Sequence, residues 1–417
     1  MNQTPDLLDF LASAPSSYHA AHLVADRLSA AGFARQNDTD AWDASPGGHV
    51  LVRGGAVMAW WVPEDASPES GFRIIGSHTD SPGFTLKPHP DMTAAGWQQA
   101  AVEVYGGPIL SSWFDRDLGF AGRIVLADGS TKRVATGAIA RIPHLAIHLD
   151  RSADRSIDRQ QHTQPIIGTT ATSVMDAVAE AAGVDKQDIY AHNVITYDTQ
   201  RAEVFGADAE FIAAGRMDNL TSVHASLIAL LRAVDSGDTG KDVLVLAAFD
   251  HEEVGSASTT GAAGPILEQV MSRTAGYLGA DNDGFARMIA RSSCVSADAA
   301  HSVHPNYSGR HDPSHQPIIG QGPVVKVNSN QRYASNAKTV AMWEHACRAA
   351  GVPSQAFVGN NDVPCGSTIG PITATRIGVA TVDVGVPLVS MHSARELAGV
   401  QDQIWFAQAL EAYLINR

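Results

Sequence analysis

Cysteine is scarce: Cys294, Cys347 and Cys365 are the only three in 417 residues. Their number is odd and their spacing fits no metal-binding pattern, which argues against a disulfide framework or a cysteine zinc site. Long apolar runs are missing. No stretch approaches the roughly 20 apolar residues needed to span a bilayer. The opening MNQTPDLLDFLASAPSSYH has neither a basic n-region nor a long apolar core, so no signal peptide is expected. Positive charge is short as well, with 29 Lys and Arg against 44 Asp and Glu, a net −15. That balance argues against nucleic acid or an anionic membrane as a main partner. Familiar catalytic motifs are absent too. Nothing matches GxxxxGK[ST], GxGxxG or GxSxG, and HEEVG (251–255) begins like HExxH but has Gly255 where the second His should stand. The expectation is a soluble cytoplasmic protein.

What is present is a globular composition, 44% apolar and 18% charged, on a chain long enough for two domains. Apolar periodicity predicts helices at 7–13 and after Pro15, the second capped by Ser16 or Ser17 and ended by Gly32. Strands are expected at 49–54, 56–62 and 72–77. From about 90 to 213, β segments alternate with Gly-containing turns around one helix, SVMDAVAEAAG (173–183). Then α/β alternation returns. LTSVHASLIALLRAV (220–234) reads as a helix and DVLVLAAFD (242–250) as a strand apolar on both faces, as in a parallel sheet. A closing helix carries Phe406, Leu410, Tyr413 and Leu414 on one stripe. The expected fold class is α/β: a mixed, largely parallel sheet sandwiched by helices, built from 1–88 and 214–417. A β-rich insertion at 89–213 interrupts it.

Ligands of open α/β folds gather at the carboxyl ends of strands. His78 and Asp80 follow one apolar run, and Asp250, His251, Glu252 and Glu253 follow another. Asp298, His301 and His304 follow a third, His392 a fourth, and Asp218 stands at the mouth of the helix 220–234. Singly, each has a plain structural reading. Asp218 could cap the helix, the glutamate pair could be a solvated turn, and the histidines could be surface groups. Their recurrence at several strand ends points to one shared site of oxygen and imidazole ligands, suited to zinc, or to manganese or cobalt.

These residues lie in segments that resemble the aspartyl aminopeptidase / aminopeptidase I family of dinuclear zinc exopeptidases. The segments are GSHTDSPGFTLKP (76–88), RIPHLAIHLDR (141–151), GRMDNLTS (215–222), FDHEEVGS (249–256), SADAAHSVHPNY (296–307), VVKVNSNQRYASNA (324–337), NDVPCGSTIGPI (361–372) and SMHSARE (390–396). The resemblance implies a catalytic domain over 1–88 and 214–417, and a dimerisation domain over 89–213. It also implies a dimer-based homo-oligomer, a dodecamer, and two Zn2+ per subunit, replaceable by Co2+ or Mn2+. Asp218 would bridge the ions, His78 and Asp298 would complete one site, and Glu253 and His392 the other. Three carboxylates and a hydroxide would then balance the charge of two divalent ions. Glu252 would be the general base, and Asp80 would hold the free nitrogen of His78. Glu252 and Glu253 would diverge because neighbours on an extended segment point apart.

For substrate, the resemblance implies a peptide with a free N-terminus, with an acidic first residue preferred. His148 would reach the site from a partner subunit, with His144 the weaker candidate, and His301 and Tyr333 would touch substrate. Lys326 would pair with the acidic side chain, although VVKVN alone reads as an exposed lysine on an edge strand. The rival readings are a related dinuclear N-acyl amino acid deacylase or carboxypeptidase and, from another class, a non-catalytic assembly or cargo-binding protein.

Overall fold

A computed structural model describes residues 3–152 and 156–415. Its largest sheet has nine strands. From one edge they are Ala34–Arg35, Gly47–Arg53, Ala56–Val62, Val243–Phe249, Phe72–His78, Ser293–Ala297, Ala380–Gly385, Val324–Val327 and Gln355–Val358. Parallel pairings outnumber antiparallel ones by five to three. The four central strands, from Val243–Phe249 to Ala380–Gly385, all run parallel, so their carboxyl ends meet at one edge.

Alternation along Val243–Phe249 explains the layers. Leu244, Leu246 and Ala248 join one core; Val243, Val245, Ala247 and Phe249 join the other. The helices Thr4–Ser13, Ser17–Ala30, Met217–Asp235, Ala337–Ala350 and Val400–Ile415 cover the first face. Ile266–Tyr277, Asn282–Arg291 and Ile369–Ile377 cover the second. A sheet clad on both sides needs strands apolar on both sides, which VLVLAAF supplies.

A six-stranded sheet of entirely antiparallel pairings forms a second unit, in the order Thr131–Ala135, Leu118–Leu126, Ile189–Asp198, Gly83–Ala94, Trp97–Tyr105, Ile166–Gly168. The helix Val174–Ala182 packs into its core, opened by a capping box at Ser173 and closed by left-handed Gly183. The strands Glu203–Phe205 and Phe211–Ala214 join a third sheet with Pro387–Val389 and Glu396–Gly399. No helix among the described residues is long and apolar enough to cross a membrane.

The helices over 266–277, 282–291, 337–350 and 369–377 were not anticipated. Asn282–Arg291 turns a short stripe of Phe285, Met288 and Ile289 to the core, but Asn282, Asp283, Arg287 and Arg291 around it make the segment read as a polar loop. Lys326 also departs from the edge-strand reading. Its strand lies between two others, and the side chain is buried.

Candidate metal centre

The parallel strand ends deliver the ionisable groups. His78 ends the strand Phe72–His78, and Asp298 follows Ser293–Ala297, distant in sequence but adjacent in the sheet. Glu252 and Glu253 follow Val243–Phe249. They lie on a single 3-10 turn, Glu252–Val254, rather than on an extended segment. Successive side chains on such a turn are separated by a third of a revolution, so the two carboxyls still diverge. Asp218 stands near the start of the helix Met217–Asp235 in non-helical backbone, and its carboxylate turns toward imidazoles rather than capping the helix. The Asn219 amide beside it donates to Ala297 O at 2.9 Å, tying this turn to the strand that precedes Asp298. His392 arrives on the loop after Pro387–Val389.

Three triads result: His78 with Asp218 and Asp298, Asp218 with Glu253 and His392, and His78 with Glu252 and Glu253; Asp218 belongs to the first two. His78 Nε2 lies 3.4 Å from Asp218 Oδ1 and 3.7 Å from Asp298 Oδ1. His392 Nε2 lies 3.3 Å from Asp218 Oδ2 and 3.3 Å from Glu253 Oε2. Within each triad the ligand-type atoms fall within 4.8 Å of one another. Glu252 Oε2 is 3.9 Å from His78 Nε2, and its side chain is 16% exposed, so water can reach it.

The imidazoles are oriented for this. His78 Nδ1 donates to Asp80 O at 3.1 Å, and His392 Nδ1 donates to Gly107 O at 3.0 Å, which leaves both Nε2 atoms facing the carboxylates. The Asp80 carboxylate lies 3.4 Å from His78 Nδ1, but its hydrogen bonds come from the Glu252 amide (3.0 Å), the Glu253 amide (3.1 Å) and Tyr105 Oη (2.8 Å). It therefore fixes the turn that carries both glutamates as well as standing beside the imidazole.

The electrostatics are conflicted. Burial, reinforced by Asp298, Asp218 and Asp80 against the opposing pull of His78, pushes Glu252 up to about 8. Burial and Asp218 push Glu253 well above the usual carboxylate range. Burial works against Asp218 ionising, yet His392 and His78 hold it well below that range. Against their own burial, Asp218, Asp298 and Asp80 hold His78 high, and Asp218 lifts His392 to about 9. Two buried oxygens, Asp218 Oδ1 and Glu253 Oε1, accept no hydrogen bond. Buried anionic oxygens without donors are costly unless a cation satisfies them. Imidazole and carboxylate ligands in threes, one carboxylate shared, fit zinc at each triad that contains Asp218.

Three further residues escaped sequence reasoning. Glu396, buried, accepts from the backbone N–H of Asp218 (3.1 Å) and of His392 (2.8 Å), so one carboxylate clamps two segments that carry cage residues. Tyr105 and Gly107, at the end of Trp97–Tyr105, bring the six-stranded unit into contact with the centre. The pair of glycines at 106–107 after an apolar strand was the available signal, since Gly106 has φ 68 and a Cβ there would meet Glu253 at 3.2 Å.

The residues expected to touch substrate divide. Lys326 Nζ donates to Asp298 O (2.9 Å) and Ala299 O (3.1 Å), and lies 3.8 Å from Asp298 Oδ2 and 5.2 Å from the centre of the Tyr333 ring. Tyr333 is buried and packs with Phe357, whose ring meets exposed His301 edge-on. Cys365, in the NDVPCGSTIG segment, packs against this cluster. His148 has no contact with the cage. It sits in an exposed segment beside Leu145, Ile147 and Leu149, which are 53%, 60% and 75% exposed. His144 is bound to Asp115 at 2.7 Å.

A mixed α/β sheet with a carboxylate–imidazole cage at its parallel strand ends, and a glutamate beside that cage, defines a metal-dependent hydrolase. Sequence comparison narrows the class. The family model described as aminopeptidase I zinc metalloprotease (M18) matches residues 10–414. A probable M18 family aminopeptidase 2 of Streptomyces coelicolor is 48% identical, the match covering 99% of this chain and 97% of the relative. One from Pseudomonas paraeruginosa is 44% identical over 98% of this chain and 96% of its own. The chain belongs to the M18 aminopeptidase family. Solved structures agree. The Ape4 and Nbr1 complex gives a TM-score of 0.96 at 35% identity, covering all of this chain and 86% of the other. The prApe1 crystal structure gives 0.93 at 27% identity, over 98% and 93%. The S. cerevisiae mApe1 dodecamer gives 0.86 at 26% identity, over 98% and 95%.

Proposed function

We propose that this aminopeptidase removes acidic N-terminal residues, Asp or Glu, from peptides in the cytoplasm, using two zinc ions held around Asp218. The observation that carries this reading is the pair of triads sharing Asp218, with Glu252 beside them. His78 and Asp298 would hold one ion, Glu253 and His392 the other, with Asp218 shared between them. The ions supply a water acidified toward neutral pH and a Lewis acid for the scissile carbonyl.

The chain's own groups do the rest. Glu252 takes the proton of the attacking water and passes it to the nitrogen of the leaving peptide. Asp80 keeps Glu252 in place through the amides of residues 252 and 253. Lys326 binds the acidic side chain of the substrate. An ammonium has three donors, two of them occupied by the carbonyls of Asp298 and Ala299, and the third serves the substrate carboxylate. Tyr333 and His301 line that subsite. His148, on the exposed segment of the unit spanning 89–213, donates to the developing oxyanion from a second copy of the chain. That role rests on a dimer-based homo-oligomer, a dodecamer like the one solved for the S. cerevisiae relative.

Aminoacyl-nitroanilides of Asp, Glu and Leu, assayed with zinc and again with cobalt or manganese, test the reading. Faster cleavage of the acidic substrates is expected, with a Lys326→Ala variant losing most of that preference. Equal rates for Leu, or an unchanged ratio in the variant, would reject acidic specificity. Preferential hydrolysis of N-acetylated substrates would favour the deacylase reading.

A further inference from the structure

The protein is strongly acidic overall, yet one groove gathers cations. It runs between the two units, walled by the helix Ser17–Ala30 and the strand Ala34–Arg35 on one side and the strands Leu118–Leu126 and Thr131–Ala135 on the other. Its volume is about 930 Å³, within the range of roughly 300–1,000 Å³ typical of small-molecule pockets. Arg35, Arg123, Lys132 and Arg133 all line it.

Little in the groove offsets these charges. Arg35 is paired with Asp26 at 2.5 Å. Arg123 Nε donates to Asn193 Oδ1 at 3.1 Å, its guanidinium lies 4.7 Å from the centre of the Tyr18 ring, and it makes no ion pair among the described residues. Lys132 and Arg133 make no ion pair or side-chain hydrogen bond among the described residues. The one carboxylate of the lining, Asp38, is already engaged by Arg53 Nε at 2.9 Å. Two histidines on the helix register the same field. Burial first, then the Arg133 charge, hold His19 down to about 4, and the same causes lower His22. Cations arranged so that they repel one another and disfavour protonation of their neighbours form a focused positive potential, which concentrates anions.

We propose that this groove binds a small polyanion carrying two or more phosphate groups, bridging the catalytic and inserted units. Guanidinium forks match phosphate oxygens in pairs, and the free Lys132 ammonium adds a point charge. The cations come from both walls, so one ligand of this size is held by both units at once. A nucleic acid chain is disfavoured by the −15 charge of the whole protein.

Calorimetric titration of the zinc-loaded protein with magnesium-saturated inorganic tripolyphosphate tests this, with zinc content measured after each run. Saturable binding is expected, weakening as NaCl is raised. It should fall at least about tenfold in a Lys132→Ala/Arg133→Ala variant whose zinc content and basal turnover match the parent. No saturable binding, or equal binding by parent and variant, overturns the proposal. So does breakdown of the assembly in the variant, which would assign the groove to another copy of the chain. A non-peptide polycarboxylate, mellitate, is the second arm, and binding as tight as tripolyphosphate overturns the phosphate assignment.

Discussion

The cage and the His148 segment make an instructive pair. Both carry groups proposed to act on one peptide bond, yet they are built on opposite principles. The cage is over-determined. Every imidazole has its outer nitrogen tied to a backbone carbonyl, and Asp80 and Glu396 each accept backbone N–H groups that set the cage residues. The His148 segment is tied at His144, which is bound to Asp115, and it presents Leu145, Ile147 and Leu149 to water. Exposed apolar side chains in a row mark a surface that another molecule covers. A metal cage must hold its shape before the ion arrives, whereas a group supplied by a second copy takes its order from the interface.

Four substitutions or conditions would break or sharpen that contrast. Glu252→Gln removes the proposed base but none of the five residues assigned to the cage. It should lower kcat by about 10²–10⁴-fold while zinc content stays at the parental level; near-normal turnover would move the base elsewhere. His148→Phe should lower kcat by about 10²-fold, in line with loss of an oxyanion donor, with zinc content and assembly size unchanged. Unaffected kinetics would remove His148 from the reaction, and loss of zinc would erase the distinction between the two regions.

Glu396→Gln should weaken zinc binding by about 10–100-fold, because an amide group replaces one of the two acceptor oxygens that clamp Asp218 and His392. Competition against a calibrated chelator measures it, and parental affinity would show that the clamp is dispensable. The mildest effect concerns pH. His392 is lifted to about 9 and Glu252 to about 8, so both carry protons below those values, and zinc must displace those on its ligands. Apparent zinc affinity should therefore fall by about tenfold for each proton displaced as pH drops from 8 to 7. A flat profile would mean that the cage does not compete with protons.

Much of this was legible in the sequence for physical reasons. A strand buried on both faces is a run of apolar residues, so VLVLAAF announced both the central strand and the place where Glu252 and Glu253 emerge. His78 and Asp298 follow similar runs. The less legible parts depend on contacts distant in sequence. Glu396 sits in SARE, where a glutamate ordinarily reads as a surface group, and only the fold buries it under Asp218, 178 positions away. Lys326 reads as an edge lysine in the sequence because its neighbour Gln355–Val358, which makes the strand internal, is only four residues long and follows Pro353 with no apolar alternation to mark it. The Glu252–Val254 turn differs from the extended chain expected there because His251 adopts a left-handed conformation that its residue type does not advertise.

The most direct test of the central claim is a crystal of the zinc-loaded protein measured on both sides of the zinc absorption edge. Two anomalous peaks per chain are expected, one against His78 and Asp298, one against Glu253 and His392, each within bonding distance of a different oxygen of Asp218. A single peak, or a pair of which only one touches Asp218, would contradict the account.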